Sequence, residues 1–405
     1  MRILFLAHRV PDRPVKGDKI RAYHEVRALA AKHEVHVFAA SDAHGDGDGD
    51  GAPEWRSEVA RLFVAPVRPG ASRLRALWAV AAGGALTAAH FAEPALRRAL
   101  AEACRATPFD AAVVYSGAMA PLLERAAPRG ARPAPPATIV DFVDVDSEKF
   151  RLYAERGTVG GARRVACALE ARRLRRVETR AAERSAACVV CTEDEAATLR
   201  AFCRPRRLEV VENGVDLAAF PFGSPAGRAA AELLFVGALD YAANVDACAR
   251  LVHEILPRVR REVPSATVTL VGSRPVAAVR ALARLDGVAL HADVPAVQPF
   301  LARATLVVLP FTVARGVQNK ALEALASGAP LVVSGAIAKG LAGRDGETWL
   351  AAEDDAGLAE RTVALLRDAP RRARLAERGR ALTEERLGWA PHLARFVALV
   401  EEAAS

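Results

Sequence analysis

Two stretches of this 405-residue chain carry side chains whose types and spacing can do chemistry. The first, VARGVQNKALEALASGAPLVVS (Val313 to Ser334), sets Arg315, Gly316, Gln318, Asn319 and Lys320 before and into the start of a small-residue helix. Glu323 lies one turn inside it. A helix N-terminus offers unpaired amides to an anion, and Lys320 adds a full charge. A glutamate at that depth can accept hydrogen bonds from both hydroxyls of a ribose. Leu322, Leu325 and Ala326 supply the buried side of the helix, Gly328 its C-terminal stop, and Pro330 follows. A plain crossover helix would leave Gly316, Gln318, Asn319, Lys320 and Glu323 as unconnected polar residues.

The second stretch, IVDFVDVDSEKF (Ile139 to Phe150), puts Asp141, Asp144 and Asp146 at or just beyond the end of an apolar run. Carboxylates at the carboxyl end of a buried strand can accept from sugar hydroxyls, act as a base or hold a metal. Asp144 has the stronger claim, while Asp146 or Ser147 also suits a helix N-cap. Glycines mark three further strand ends. Gly17, with Asp18 and Lys19, opens a helix after the first strand, where Lys16 and Arg21 add positive charge. Gly237 follows LLFV, with Asn244 as a candidate N-cap, and Gly272, Ser273 and Arg274 follow TVTLV. Such βα turns let a ligand approach the backbone, and two of them on one edge can cradle a diphosphate. Arg274 can pair with phosphate oxygens. No G-x-G-x-x-G is present, so the dinucleotide fingerprint is absent.

These loops need strands to hold them. Continuous Val/Leu/Ile runs fall at Ile3–Ala7, Val35–Ala39, Leu62–Ala65, Ala112–Tyr115, Thr138–Val143 and Cys188–Cys191. A second series falls at Leu208–Val211, Leu233–Val236, Thr267–Val271, Val288–Leu290, Leu306–Leu309 and Leu331–Val333. Runs without alternation are buried on both faces, which predicts parallel sheets covered by helices, an α/β doubly wound class. The two series predict two domains, 1–205 and 206–379. The helix GARRVACALEARRLRRVETRAAERS (Gly161 to Ser185) fits either an anion- or lipid-binding surface or a solvated face laced by Glu170, Glu178 and Glu183.

Composition bounds the rest. A net charge of +8 and pI near 9.5 suit an anionic substrate or an acidic membrane face, and equally an Arg-rich composition with no special partner. The N-terminal MRILFLAHRVPDRP reads as a strand rather than a signal peptide. Leu74 to Ala92 is the nearest approach to a membrane span, but Gly-Gly and His interrupt it, which predicts helices of a soluble domain lying near a membrane surface at most. The six cysteines include a C-x-x-C at Cys188 and Cys191 inside an apolar run; without a second pair these read as buried thiols in a reducing cytoplasm. Asp46, Asp48 and Asp50 mimic a calcium loop whose twelfth position is Ser57 rather than Glu. No metal site, resident cofactor or nucleic-acid partner is expected.

In order, ENGVD (Glu212 to Asp216), FVGALDYAANVDA (Phe235 to Ala247), VTLVGSRP (Val268 to Pro275) and VQNKALEALASGAPLVVS resemble the nucleotide-binding half of GT-B glycosyltransferases of the glycosyltransferase 4 type. PDRPVKGDKIRAYHEVRALA and DFVDVDSEKF look like sugar transferases of bacterial exopolysaccharide and exosortase (PEP-CTERM) systems. The resemblance implies two Rossmann-like domains facing across a cleft, with the nucleotide-sugar donor held by the second, a glycan or lipid-linked acceptor by the first, and the last helices, residues 380–405, crossing back to the first. It implies transfer of a sugar to a hydroxyl with retention, and no obligatory metal. Glu323 matches the second Glu of the family's E-x7-E motif, and Arg315 stands at the first. Asp141, Asp144 and Lys320 are the catalytic candidates; the protein is expected in the cytoplasm, either free or peripheral at the inner face of the plasma membrane. Rival readings are a nucleotide-sugar epimerase and a non-catalytic nucleotide-sugar-binding scaffold in a polysaccharide-assembly complex.

Overall fold

The computed structural model describes residues 1–11, 17–42, 53–127, 136–155, 160–223, 228 and 230–405. The calcium-like aspartates 46, 48 and 50, together with Lys16, lie outside them. The chain divides into one unit of Met1–Glu212 with Ala390–Ser405, and another of Asn213–Trp389.

The first unit holds β1 (Arg2–Ala7), β2 (Glu34–Asp42), β3 (Arg61–Val67), β4 (Ala111–Tyr115), β5 (Ala137–Val143), β6 (Ala187–Val190) and β7 (Leu208–Val210), in the order β3-β2-β1-β4-β5-β6-β7. The second holds β8 (Glu232–Val236), β9 (Thr267–Gly272), β10 (Val288–Ala292), β11 (Leu306–Leu309), β12 (Leu331–Ser334) and β13 (Leu350–Ala352), ordered β10-β9-β8-β11-β12-β13. Every strand pairing in both sheets is parallel. The apolar runs are buried end to end, as in AAVVY of β4 and LVVL of β11, because helices cover both faces. Each unit is therefore a doubly wound, Rossmann-like α/β sheet, as the strand spacing predicts.

One strand changes sides. Leu208–Val210 pairs with β6, so it closes the first sheet instead of opening the second series. A three-residue edge strand carries too little pattern to announce its partner. The last helix, Trp389–Ala404, buries Phe396, Val397, Leu399 and Val400 among Ile3, Phe5, Val35 and Val37 of the first unit. Within the second unit the segments nearest the two chain crossings run side by side: Val215 N–H donates to the Leu387 carbonyl at 2.7 Å. A Cβ at Gly214 would stand 2.6 Å from the Trp389 backbone, so only glycine fits there.

The first core also contains charge. Arg21 Nε lies 2.8 Å from Asp141 Oδ2 and 2.8 Å from Glu25 Oε1, and Arg21 Nη1 donates to the Val211 carbonyl at 2.6 Å. All three side chains are essentially fully buried. The positive charge read at Arg21 is thus spent inside the fold, not at a loop surface. Burial would lower the Arg21 pKa, but Asp141 and Glu25 outweigh it and hold the guanidinium cationic. Burial first, and the Asp141 charge second, push Glu25 well above the usual carboxylate range. Removing Arg21 leaves the buried carboxyl groups without their partner. Arg21→Ala is expected to cost about 3–5 kcal/mol of unfolding free energy. Glu25→Gln, which keeps the cation and its Asp141 partner, is expected to cost far less; denaturant midpoints of the two variants check this, and equal losses would refute the central role of the Arg21–Asp141 pair.

Candidate functional site

The strand order of the second unit reverses between β8 and β11, and doubly wound sheets bind ligands beyond the carboxyl ends of such neighbours. Lys320 reaches that point from the helix Asn319–Ala326. Its Nζ donates to Asn244 Oδ1 at 2.7 Å. It also stands 4.5 Å from the ring centroid of Phe311, just after β11, and 5.4 Å from that of Phe235, in β8. The aromatic faces and the amide replace part of the ammonium's lost hydration. Burial still lowers the Lys320 pKa to about 8, against the pull of Glu323 and Cys248.

The glycines make room for this packing. A Cβ on Gly237 would lie 2.9 Å from Asn244 Nδ2 and 3.2 Å from Lys320 Nζ. A Cβ on Gly272 would lie 1.7 Å from the Gly237 carbonyl oxygen, so the β8 and β9 loops touch backbone to backbone. Asn244 is not the N-cap; the helix is Ala242–Arg250, capped by Tyr241. The Asn244 amide instead donates to the Ala238 carbonyl at 2.8 Å while its oxygen receives Lys320. Capping chemistry and ligand-site chemistry use the same residue type, which is why spacing alone misassigned it.

Ser273 contributes its carbonyl, accepting from Leu239 N–H at 2.8 Å. Arg274 has a positive φ of 50°, held by its N–H donating to Asp293 Oδ1 at 2.7 Å. Its guanidinium pairs with Asp240 at 2.8 Å, so any phosphate would share it with that carboxylate. Around the helix start, Gly316 takes a positive φ of 59°, and Gln318 Nε2 donates to the Arg315 carbonyl at 3.0 Å. Gln318 is the N-cap residue and makes no side-chain cap, and its carbonyl accepts from Ala321 N–H at 2.8 Å. Asn319 Oδ1 accepts from Asn213 of the ENGVD segment at 3.0 Å. Leu322, Leu325 and Ala326 are buried, and Gly328 has a φ of 67°, matching the helix read from the sequence. Burial raises the Glu323 pKa to about 7, moderated by Lys320. Among the described residues its carboxylate has no hydrogen-bond partner.

The first unit builds a different kind of loop. β5 bulges against β6 between Asp141 and Val143, and Val143 takes a positive φ of 62°, which is strained for a β-branched residue. Three buried carboxylates hold the segment that follows. Asp141 Oδ1 accepts from Val143 N–H at 2.8 Å, Glu195 Oε2 from Val145 N–H at 2.8 Å, and Glu178 Oε1 from Ser147 N–H at 3.0 Å. Burial pushes Glu178 up to about 8 against its Ser147 hydrogen bonds. Asp144, in the turn, stays partly exposed, 3.9 Å from Lys149 Nζ. Asp141, also read as a site residue, is 0% exposed and holds the loop from within. Glu178 and Glu195 were not singled out as loop anchors by sequence; their partners lie 31 and 50 residues away. Lys19 is only 5% exposed, and the side chains of Gly17 and Asp18 lie outside the described residues. All six cysteines are buried and free, as the apolar setting of the C-x-x-C predicts.

Comparison with known proteins follows the same division. Residues 17–214 match the family Glycosyl transferase 4-like domain, and residues 230–368 match Glycosyl transferases group 1. A glycogen synthase of Mycobacterium tuberculosis is 37% identical over 190 residues, 42% of this chain and 43% of that protein, so the match spans less than half of the relative. The fold is similar to that of sucrose-phosphate synthase from Thermosynechococcus elongatus (TM-score 0.75, 17% identity, 100% of both chains). It is similar also to Anabaena HepE in complex with UDP and glucose (TM-score 0.69, 14% identity, 99% of both). WaaG, a glycosyltransferase involved in lipopolysaccharide biosynthesis, gives a TM-score of 0.62 at 14% identity over 98% of this chain and 99% of that one. The chain therefore has the GT-B fold, with a first region similar to the Glycosyl transferase 4-like domain and a second similar to Glycosyl transferases group 1.

Proposed function

We propose that the protein transfers a sugar from a nucleoside diphosphate sugar to a hydroxyl of a glycan or lipid-linked acceptor, with retention, in bacterial exopolysaccharide or cell-surface glycan synthesis. The observation that carries this reading is the convergence of Lys320, Asn244 and the Gly237–Gly272 backbone contact at the β8–β11 switch point. As the anomeric bond breaks, negative charge grows on the leaving diphosphate. Lys320 meets that charge with a group already in place. Glu323, whose carboxylate has no hydrogen-bond partner among the described residues, takes the ribose hydroxyls. Asp144, on its anchored loop, accepts from the acceptor hydroxyl. The reading assigns no step to a metal. Six buried thiols favour a reducing cytoplasm, with peripheral attachment to the membrane.

Titration calorimetry with a panel of nucleotide sugars tests the donor site. Glu323→Ala is expected to weaken the best donor by about 10- to 100-fold. Lys320→Ala is expected to lower kcat by roughly 100-fold or more. Asp144→Asn is expected to lower turnover while donor affinity stays unchanged. If no nucleotide sugar binds, or the variants bind like the parent, the site is wrong; binding without release of nucleoside diphosphate to any acceptor supports the scaffold reading instead.

The pH dependence follows from the two buried groups. Lys320 must be cationic and Glu323 ionised, so donor affinity is highest between about 7 and about 8. Above that window binding must protonate Lys320, and below it binding must ionise Glu323, so affinity declines on both sides. Lys320→Ala removes the alkaline limb and Glu323→Gln the acid one. A limb that persists in its variant assigns the titration elsewhere. An intact nucleotide sugar is the right probe, because its diphosphate does not titrate in this range.

A further inference from the structure

The helix Pro69–Ala81 is inside out. The side it turns to the protein carries Ser72 and Ala76, 1% and 8% exposed. The side it turns to solvent carries Leu74, Leu77 and Trp78, 61%, 66% and 77% exposed, at the i, i+3, i+4 spacing of one helical stripe. A surface helix of a globular domain has the reverse arrangement. The next helix, Leu86–Phe91, leaves Leu86 45% exposed, and the helix Gly161–Arg184 leaves Val165 and Leu169 61% and 44% exposed. These helices adjoin: Leu86 N–H and Thr87 N–H both donate to Glu170 at 2.8 Å. Six of the eleven large apolar side chains exposed among the described residues thus belong to three neighbouring helices, which is a patch rather than scatter.

The charge around this patch has one sign. Between Glu58 and Glu93 the sequence contains no acidic residue, while it carries Arg61, Arg68, Arg73 and Arg75. Arg75 is matched by Glu93; Arg68 and Arg73 are exposed on the apolar helix or at its start. On the long helix Arg163, Arg164, Arg172 and Arg176 are exposed. Of the three glutamates read as lacing that face, only Glu183 is exposed. Glu170 turns inward to the Leu86 helix and Glu178 to the Ser147 amide, so the outer face keeps its arginines.

We propose that this face of the first unit docks on an anionic lipid bilayer, with Leu74, Leu77 and Trp78 entering the interfacial region and Arg68 and Arg73 meeting headgroup phosphates. Large apolar side chains beside arginine, with no acid between, are the composition of an interfacial helix, and the indole of Trp78 suits the boundary between headgroup and acyl chain. A second copy of the chain fits less well, since it would bring two basic faces together. No helix of the described residues is long and apolar enough to cross a membrane, so this surface would be a peripheral one. The inference adds the contact surface and the lipid charge to the peripheral attachment of the proposed function. It needs no nucleotide, so its failure leaves the donor reading standing, and the converse holds.

The test uses the full chain with vesicles of phosphatidylcholine alone and of a phosphatidylcholine–phosphatidylglycerol mixture. Of the four tryptophans, Trp55, Trp349 and Trp389 are buried, so the emission of Trp78 reports its own surroundings. Anionic vesicles are expected to sediment the protein and shift Trp78 emission to the blue, with high salt weakening both. Leu74→Ser with Leu77→Ser removes the shift. Arg68→Glu with Arg73→Glu lowers the partition coefficient by about tenfold or more. These side chains are exposed, and an unchanged circular dichroism spectrum and Tm in the variants confirm that the fold survives. The proposal is overturned if neither vesicle binds the protein, if binding is unchanged in both variants, or if light scattering shows a dimer that the Leu74/Leu77 variant dissolves.

Discussion

A lysine ammonium drawn out of water must be given something in place of its hydration, and the second unit is arranged around that demand. Lys320 receives one amide oxygen from Asn244 and two aromatic faces from Phe235 and Phe311, all near the carboxyl ends of β8 and β11. This is incomplete compensation, and the lowered pKa measures what is missing. The strand order matters because it brings β8 beside β11, and the glycines matter because any side chain on Gly237 would occupy the ammonium's space. An anion seated beside Lys320 would supply the stabilisation that the protein groups do not.

The first unit solves a related problem differently. Its buried cation, Arg21, is matched inside the core, and the carboxylate that matches it also holds the strained Val143. Asp141 therefore couples core electrostatics to the geometry of the loop carrying Asp144. A strained φ at a β-branched residue survives only where surrounding contacts over-determine it. Here a bulge, an internal hydrogen bond and a buried ion pair do so together.

Much of this was legible in the sequence because burial on both faces writes an unmistakable pattern. AAVVY of β4 and LVVL of β11 read as strands on sight, and Gly328 with Pro330 marked the end of the Lys320 helix. Short edges were not legible: Leu208–Val210 was assigned to the wrong sheet, and Leu350–Ala352 was not seen, since three residues carry no period. Side-chain partnerships across long separations were also hidden. Nothing in the local text says that Asn244 serves Lys320 rather than its own helix, that Arg274 meets Asp240, or that Glu178 and Glu195 reach the β5 loop. Sequence pattern reports which face of an element is apolar; it does not report what a polar side chain finds when the chain has folded.

The row of carboxylates under the β5 loop has one more implication. By taking the amides of Val143, Val145 and Ser147, and with Asp144 N–H bonded to the Phe142 carbonyl, the fold leaves that turn few free donors. What it can still present is oxygen: carbonyls and the aspartate side chains. The β8–β11 edge of the other unit presents a donor of a different kind, the Lys320 ammonium. The loop that carries Asp144 thus offers acceptors, while the β8–β11 edge sets an ammonium close to the Glu323 carboxyl, so the two edges differ in the groups they can match.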